Sequence, residues 1–250
     1  TASVSVDEPG ITGVFSKDEL LYENLPWWLK PELRYKSKDA HFKFEPFGSS
    51  VIYYQAQQRS GVGTGIGTGQ TFDVSHMTEV AMYAYPQMLE KDFFPTIPQN
   101  PYSLCILETT AFYRGGWWFE FSEAVRHGRK PRWSYLFIPF YAEPTKYRRQ
   151  PPEGWSPNAH TLATAATVER TSPEFMNGAT VRLSKEQMYW WETSYAEAQE
   201  SNSLNSFLGN YACTTEQSFQ HAGQSAFPLQ LLDELRMRAN DGVAYEVEVA

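Results

Sequence analysis

Cysteine is scarce in this chain: Cys105 and Cys213 are the only two in 250 residues, far apart and in unrelated contexts. That argues against a disulfide framework and a cysteine-based zinc site, and it fits a reducing, intracellular compartment. Long apolar runs are missing too. None approaches membrane-spanning length, and the opening TASVSVDEPG has neither the basic start nor the apolar centre of a secretion signal. His76 lies three residues before Glu79, but no second histidine falls nearby, so an exposed or hydrogen-bonded side chain is expected there and no metal site is marked. An excess of positive charge is also lacking. A net charge of -8 argues against a protein that coats itself in nucleic acid over its whole surface. The chain has no initiator methionine, which suits a processed chain or a portion of a longer one.

What is present predicts a folded protein. Hydrophobic residues at 42% against 20% charged speak against disorder, and the length suffices for one large domain or two small ones with a sizeable core. Aromatics are dense, and the doublets Trp27-Trp28, Trp117-Trp118 and Trp190-Trp191 raise the question of sugar or base stacking, although core packing is the expectation for most. Two local basic runs stand out within the acidic chain. RHGRKPR supplies Arg126, Arg129, Lys130 and Arg132, and KYRR supplies Arg148 and Arg149. They read either as solvated loops or as contacts to a nucleic-acid backbone.

Along the chain, a polar opening leads to SKDELLYENLPWWLKPEL, which predicts a short helix with Ser16 as N-cap, closed by Pro26 and Pro31. AHFKFEPFGSSVIYYQAQ alternates on Phe42 and Phe44, turns at EPFGSS and returns through Val51 to Tyr54, the pattern of a hairpin. TFDVSHM predicts a strand, followed by a helix from about Thr78 to Lys91. SLCILETTA predicts a strand buried on both faces, as in a parallel sheet. WWFEFSEAVRHG predicts a helix with Trp118, Phe121 and Val125 on one stripe and Gly128 at its end, and WSYLFIPFY a further buried strand. The alternation is that of an α/β unit with crossovers. From Arg149 to Gly178 weak periodicity predicts a long surface excursion. Ser184 and Gln187 then form a capping box opening a helix with Met188, Trp191, Tyr195 and Ala198 on one face, and two more helical segments follow near Leu204 to Tyr211 and Leu229 to Ala239.

Five glycines in nine residues, Gly61 to Gly69, raise the question of a phosphate cradle. Such a loop needs converging backbone N–H groups, a lysine and a hydroxyl, and it opens a helix whose dipole faces the anion. Here TGIGTGQT puts Gln70 where the lysine belongs, and the run leads into a strand. A flexible hinge is the expectation. Glu79 is more informative, because it lies at the end of a strand, where an α/β sheet gathers its catalytic groups. The neighbouring predicted strand ends in Glu108, Thr109 and Thr110. A carboxylate on such a rim can orient water for attack on a phosphoryl group. The plainer alternatives are local: Thr78 as a helix cap, and Thr109 or Thr110 satisfying loop N–H groups.

The order and spacing of these segments resemble the large terminase subunits of tailed bacteriophages, the motors that package viral DNA. The resemblance runs from about Tyr22 to Phe227, through YENLPWWLKPEL, FGSSVIYYQAQ, VSHMTEVAMY, ILETTAFYRGGWWFEFSEAVRHG, WSYLFIPFYAEPTKYRR, LSKEQMYWWETSYAEA and FLGNYACTTEQSFQHAGQSAF. It implies an α/β fold, the parallel-sheet core of a P-loop (ASCE-type) ATPase domain, incomplete. Residues 1–180 would form the partial motor core, 181–240 the helical segment closing it, and 241–250 the start of a nuclease domain. Glu79 matches the Walker B glutamate that polarises the water attacking the γ-phosphate. Thr78 stands where many motor ATPases have a magnesium-associated aspartate, and Glu108, Thr109 and Thr110 match the coupling motif. The resemblance further implies ATP and Mg2+ in the complete protein, an arginine reaching the γ-phosphate with Arg59 as candidate, and double-stranded DNA held through the basic runs. Its implied partners are a portal protein and a small terminase subunit, and its implied setting is a homo-oligomeric ring on the procapsid in the host-cell cytoplasm. The family's phosphate loop lies upstream of the matched segments and its nuclease beyond them. An internal portion is therefore expected that alone neither hydrolyses ATP efficiently nor cuts DNA. Two other classes stay open: a carbohydrate-binding or carbohydrate-cleaving protein, which predicts mainly β structure with exposed aromatic rows, and a non-catalytic phage assembly protein.

Overall fold

The opening residues form a strand, β1 (Ala2–Ser5), rather than a polar lead-in. Ala2 and Val4 face one side of a sheet and Ser3 and Ser5 the other, and all four are buried. The computed structural model describes residues 1–37, 41–44, 49–56, 69–111 and 114–220. The expected helix near Leu229 to Ala239 and the segment 241–250 lie outside them, as does most of the glycine run. By its internal contacts the chain divides into two units, Thr1–Tyr135 and Leu136–Ala250.

In the first unit β1 is followed by α1 (Glu8–Asn24), β2 (Leu33–Ser37), β3 (His41–Phe44), β4 (Ser50–Gln55), β5 (Val74–Thr78), β6 (Leu104–Glu108) and α2 (Gly116–Arg126). The strands form one sheet in the order β2-β3-β4-β1-β5-β6. β1 runs parallel to β4 and β5, and β5 parallel to β6, while β2, β3 and β4 are antiparallel. The α/β class is as expected. The sheet is mixed and mostly parallel, because the hairpin β3-β4 joins it through β4.

α1 begins eight residues before Ser16. Asp7 is its cap: with an extended backbone, its carboxylate accepts a bond from the Gly10 N–H at 2.9 Å, and Pro9 occupies the first turn. Ser16 instead donates its hydroxyl to the Thr12 carbonyl within the helix. Ile11 and Phe15 of α1 pack on Phe42 and Tyr53, with the Phe15 and Phe42 rings stacked 4.9 Å apart. The opposite face of the sheet buries Ala2, Val4 and Met77 against Val80, Tyr83, Leu89 and Phe93, with Leu107, Trp117 and Trp118 packed alongside. These apolar clusters supply the main driving force for the fold, about 25 cal/mol per Å² of apolar surface removed from water.

Three further expectations change. Thr78 to Lys91 is not one helix but a 3-10 turn, Val80–Met82, a break at Pro86 and a short π-turn, Leu89–Phe93. Among the described residues β6 is an edge strand rather than one buried on both faces: Leu104 and Ile106 are 53% and 42% exposed. Residues 133–139 of WSYLFIPFY make no strand; Leu136 and Ile138 project to the outside and the chain tightens into a 3-10 turn at Phe140–Ala142.

The second unit is helical: α3 (Ala159–Phe175), α4 (Lys185–Glu200), α5 (Leu204–Asn210) and α6 (Thr215–Gln220). The capping box of Ser184 and Gln187 is present at the start of α4. α3 overturns the expected surface excursion between Arg149 and Gly178. Its signal lies in its cap, Asn158, which accepts from the Thr161 N–H, and its weak apolar stripe hid it. Phe140, Tyr141, Val168, Leu183, Trp191 and Phe207 make the core of this unit, so Trp191 is a packing residue. Glu192 clamps α3 to α4, accepting bonds from the Trp155 indole, the Asn158 N–H and the Thr161 hydroxyl. No helix among the described residues is long and apolar enough to cross a membrane.

Candidate functional site

Parallel pairing brings the C-terminal ends of β1, β5 and β6 to one rim. Thr78 is paired with Glu108 across β5 and β6, and the Thr78 hydroxyl donates to the Ser5 hydroxyl at 3.1 Å across β5 and β1. Just past Thr78 the chain reverses direction. Glu79 takes up a left-handed backbone (φ 56°) and caps the 3-10 turn, its carbonyl accepting from the Met82 N–H at 2.9 Å. A non-glycine residue holds such a conformation only when its surroundings enforce it, at a cost of about 1–3 kcal/mol. The reversal aims the half-buried Glu79 carboxylate at β6. There the Thr109 hydroxyl lies 3.3 Å from Oε2 and also 2.9 Å from the Thr110 carbonyl.

Side-chain alternation separates the other residues expected here. Glu108 precedes Thr109 and therefore points to the opposite face, where its carboxylate meets His76 at 3.4 Å. His76 is thus a partner for a carboxylate, and among the described residues no group of three His, Cys, Asp or Glu could hold a metal ion. Thr110 contributes its backbone carbonyl and is otherwise exposed. Thr78 is a strand residue facing Ser5, not a cap. Arg59 lies outside the described residues.

Three residues at the rim were not anticipated. Ser5 and Asp7 were missed because β1 was read as polar, although Ala2, Val4 and Val6 alternating with serines before an Asp-Glu-Pro helix start were a usable signal. The third is Tyr83. It is buried at the end of the 3-10 turn, and its hydroxyl donates to the Val4 carbonyl at 3.1 Å. Burial first, and the nearby Glu79 charge second, push its phenol well above the ordinary range, so it remains a neutral donor. A cleft of about 180 Å³ runs beside this turn, bordered by Tyr83, Pro86, Gln87 and the start of α2 at Gly115, Gly116 and Trp117.

β1 and α1 together have the strand-turn-helix topology of a phosphate loop, but the carboxylate of Asp7 occupies the helix N-terminus where an anion would sit. The basic runs divide by pairing. Arg126 bonds Glu123 at 2.7 Å, Lys130 bonds Glu90 at 2.6 Å and Arg149 bonds Glu197 at 2.8 Å, Arg148 lies near the Glu143 and Glu186 carboxylates, and Arg129 and Arg132 are exposed. No protein-family model matches the chain, and no curated protein matches it either.

Proposed function

We propose that this chain is part of the ATP-driven motor that packages viral DNA, a portion of a terminase large subunit in which ATP hydrolysis drives DNA translocation. The observation that carries this reading is the meeting of the Glu79 carboxylate and the Thr109 hydroxyl at 3.3 Å on the rim of two adjacent parallel strands. The Thr109 hydroxyl, its one proton shared between Oε2 and the Thr110 carbonyl, keeps Oε2 turned toward the end of β6 and leaves Oε1 to accept a proton from water. Water so polarised is aimed at a γ-phosphoryl group beyond the rim. The same hydroxyl touches the Thr110 carbonyl, so a shift of β6 moves the glutamate, which gives hydrolysis a mechanical link to the chain that follows.

The Ser5 hydroxyl is buried beneath Gly10 and accepts the Thr78 proton, so of this pair only the half-buried Thr78 would border the water shell of Mg2+, which neutralises charge on the phosphates. The phosphate-gripping loop belongs to a further strand outside β6. The connection from β5 to β6 crosses the face with Val80, Leu89 and Phe93. A right-handed crossover leading back toward β1 lies on the other face, where Val74, Leu104 and Ile106 are uncovered among the described residues.

In the complete motor, Glu79→Gln keeps shape and loses the charge. Turnover of ATP is expected to fall by about 10²–10⁴-fold with nucleotide affinity little changed. Normal turnover would overturn the assignment of Glu79, and turnover absent from the unaltered protein would favour the non-catalytic assembly protein instead.

A further inference from the structure

We propose that Tyr83 is the positioning residue that holds Glu79 in its strained, water-directing conformation. The proposal rests on the ATPase reading for its consequence but on the fold for its geometry. Glu79 stands between two anchors to the same strand. Before it, Thr78 bonds Ser5 of β1; after it, the Tyr83 hydroxyl bonds the Val4 carbonyl of β1. Between the anchors the turn is closed by Met82 N–H on the Glu79 carbonyl and Tyr83 N–H on the Val80 carbonyl, at 2.9 and 3.3 Å. The left-handed φ of Glu79 is the turn by which the chain leaves β5 and brings Tyr83 to the Val4 carbonyl.

Thr109 acts on the carboxylate, whereas Tyr83 acts on the backbone beneath it. With the phenol tied down, φ stays positive and Oε2 stays over β6. With the tie cut, Glu79 relaxes to a negative φ and its carboxylate turns away from Thr109. The ring itself is packed in the core with Val4, Met77, Val80 and Leu89, so Tyr83→Phe keeps the packing and removes only the bond. The phenol's neutral state, enforced by burial and by Glu79, keeps the bond in place across the neutral pH range.

Two readouts test this. In the 250-residue chain, the Glu79 Cα and Cβ chemical shifts report its backbone conformation. Tyr83→Phe is expected to move them out of the left-handed range with the melting temperature of the chain nearly kept, and unchanged shifts would overturn the proposal. In the complete motor, Tyr83→Phe is expected to lower kcat about tenfold with KM for ATP within about twofold, a split that loss of packing alone does not produce. Glu79→Gln serves as the control. If it is inactive while Tyr83→Phe turns over normally, the role of Tyr83 is refuted and the ATPase reading stands. If Glu79→Gln turns over normally, the assignment of Glu79 fails, and if the unaltered protein shows no turnover the ATPase reading fails; in both cases the chemical shifts alone decide whether Tyr83 sets the turn.

Discussion

Gly10 brings α1 directly against Ser5 at the rim. A Cβ there would lie 2.3 Å from the Ser5 hydroxyl oxygen, whereas a Cβ at Gly13, one turn on, would meet nothing within 4 Å. Two alanine substitutions in one helix should therefore have opposite signs. Gly10→Ala is expected to destabilise by about 1–3 kcal/mol through overpacking. Gly13→Ala is expected to stabilise by up to about 1 kcal/mol through helix propensity. Urea unfolding of the two variants checks both. Glu192 carries a pH dependence of its own. Burial raises its carboxyl, but the bonds from Asn158, Thr161 and Trp155 outweigh it and hold the group below the usual glutamate range. A depressed carboxyl stabilises the fold above its unfolded value of about 4.3, and this contribution is lost as pH falls through the lower folded value. Glu192→Gln should accordingly flatten the pH dependence of stability below about pH 4.3, with its largest effect near neutrality; equal losses at pH 3 and pH 7 would contradict this. Burial pushes the Cys105 and Cys213 thiols up to about 12, so both should resist thiol reagents at pH 8 in the native chain.

At the scale of elements, β6 is the exposed flank of the sheet. Its outer edge is unpaired among the described residues, and Leu104, Ile106 and the neighbouring Val74 expose an apolar strip. Such an edge templates further strand pairing. The 250-residue chain should therefore self-associate with rising concentration, and Ile106→Lys should suppress this without lowering the melting temperature. Light scattering distinguishes the outcomes. β6 also marks the limit of pattern reading. CILE is as apolar as a central strand, and nothing within it says that one face is open. β1 is the converse case: short, half serine, and yet buried throughout because α1 and the opposite cluster cover both faces.

Over the whole molecule, acidic residues exceed basic ones, with a net charge of -8, so any affinity for DNA must come from local basic groups. Lys130 is held by Glu90, while Arg129 and Arg132 extend into solvent. If the first basic run touches a DNA backbone, Arg129→Glu with Arg132→Glu should reduce the slope of log affinity against log salt by about 1 per lost contact, and Lys130→Glu by less. An unaltered slope in the double variant would remove this run from the DNA-binding surface.

The sequence by itself determined what is local. The polar residues closing each apolar run placed Glu79 and Thr109 at strand ends, and Ser184 with Gln187 declared the start of α4, because those signals are carried by neighbours within a few positions. Only the tertiary structure decided which strand lies at the centre and which at the edge. It alone joined Thr78 to Ser5 and Tyr83 to Val4, partners separated by 73 and 79 positions. Contacts of that range are fixed by how strands pair and faces pack, and no periodicity in either segment encodes its distant partner.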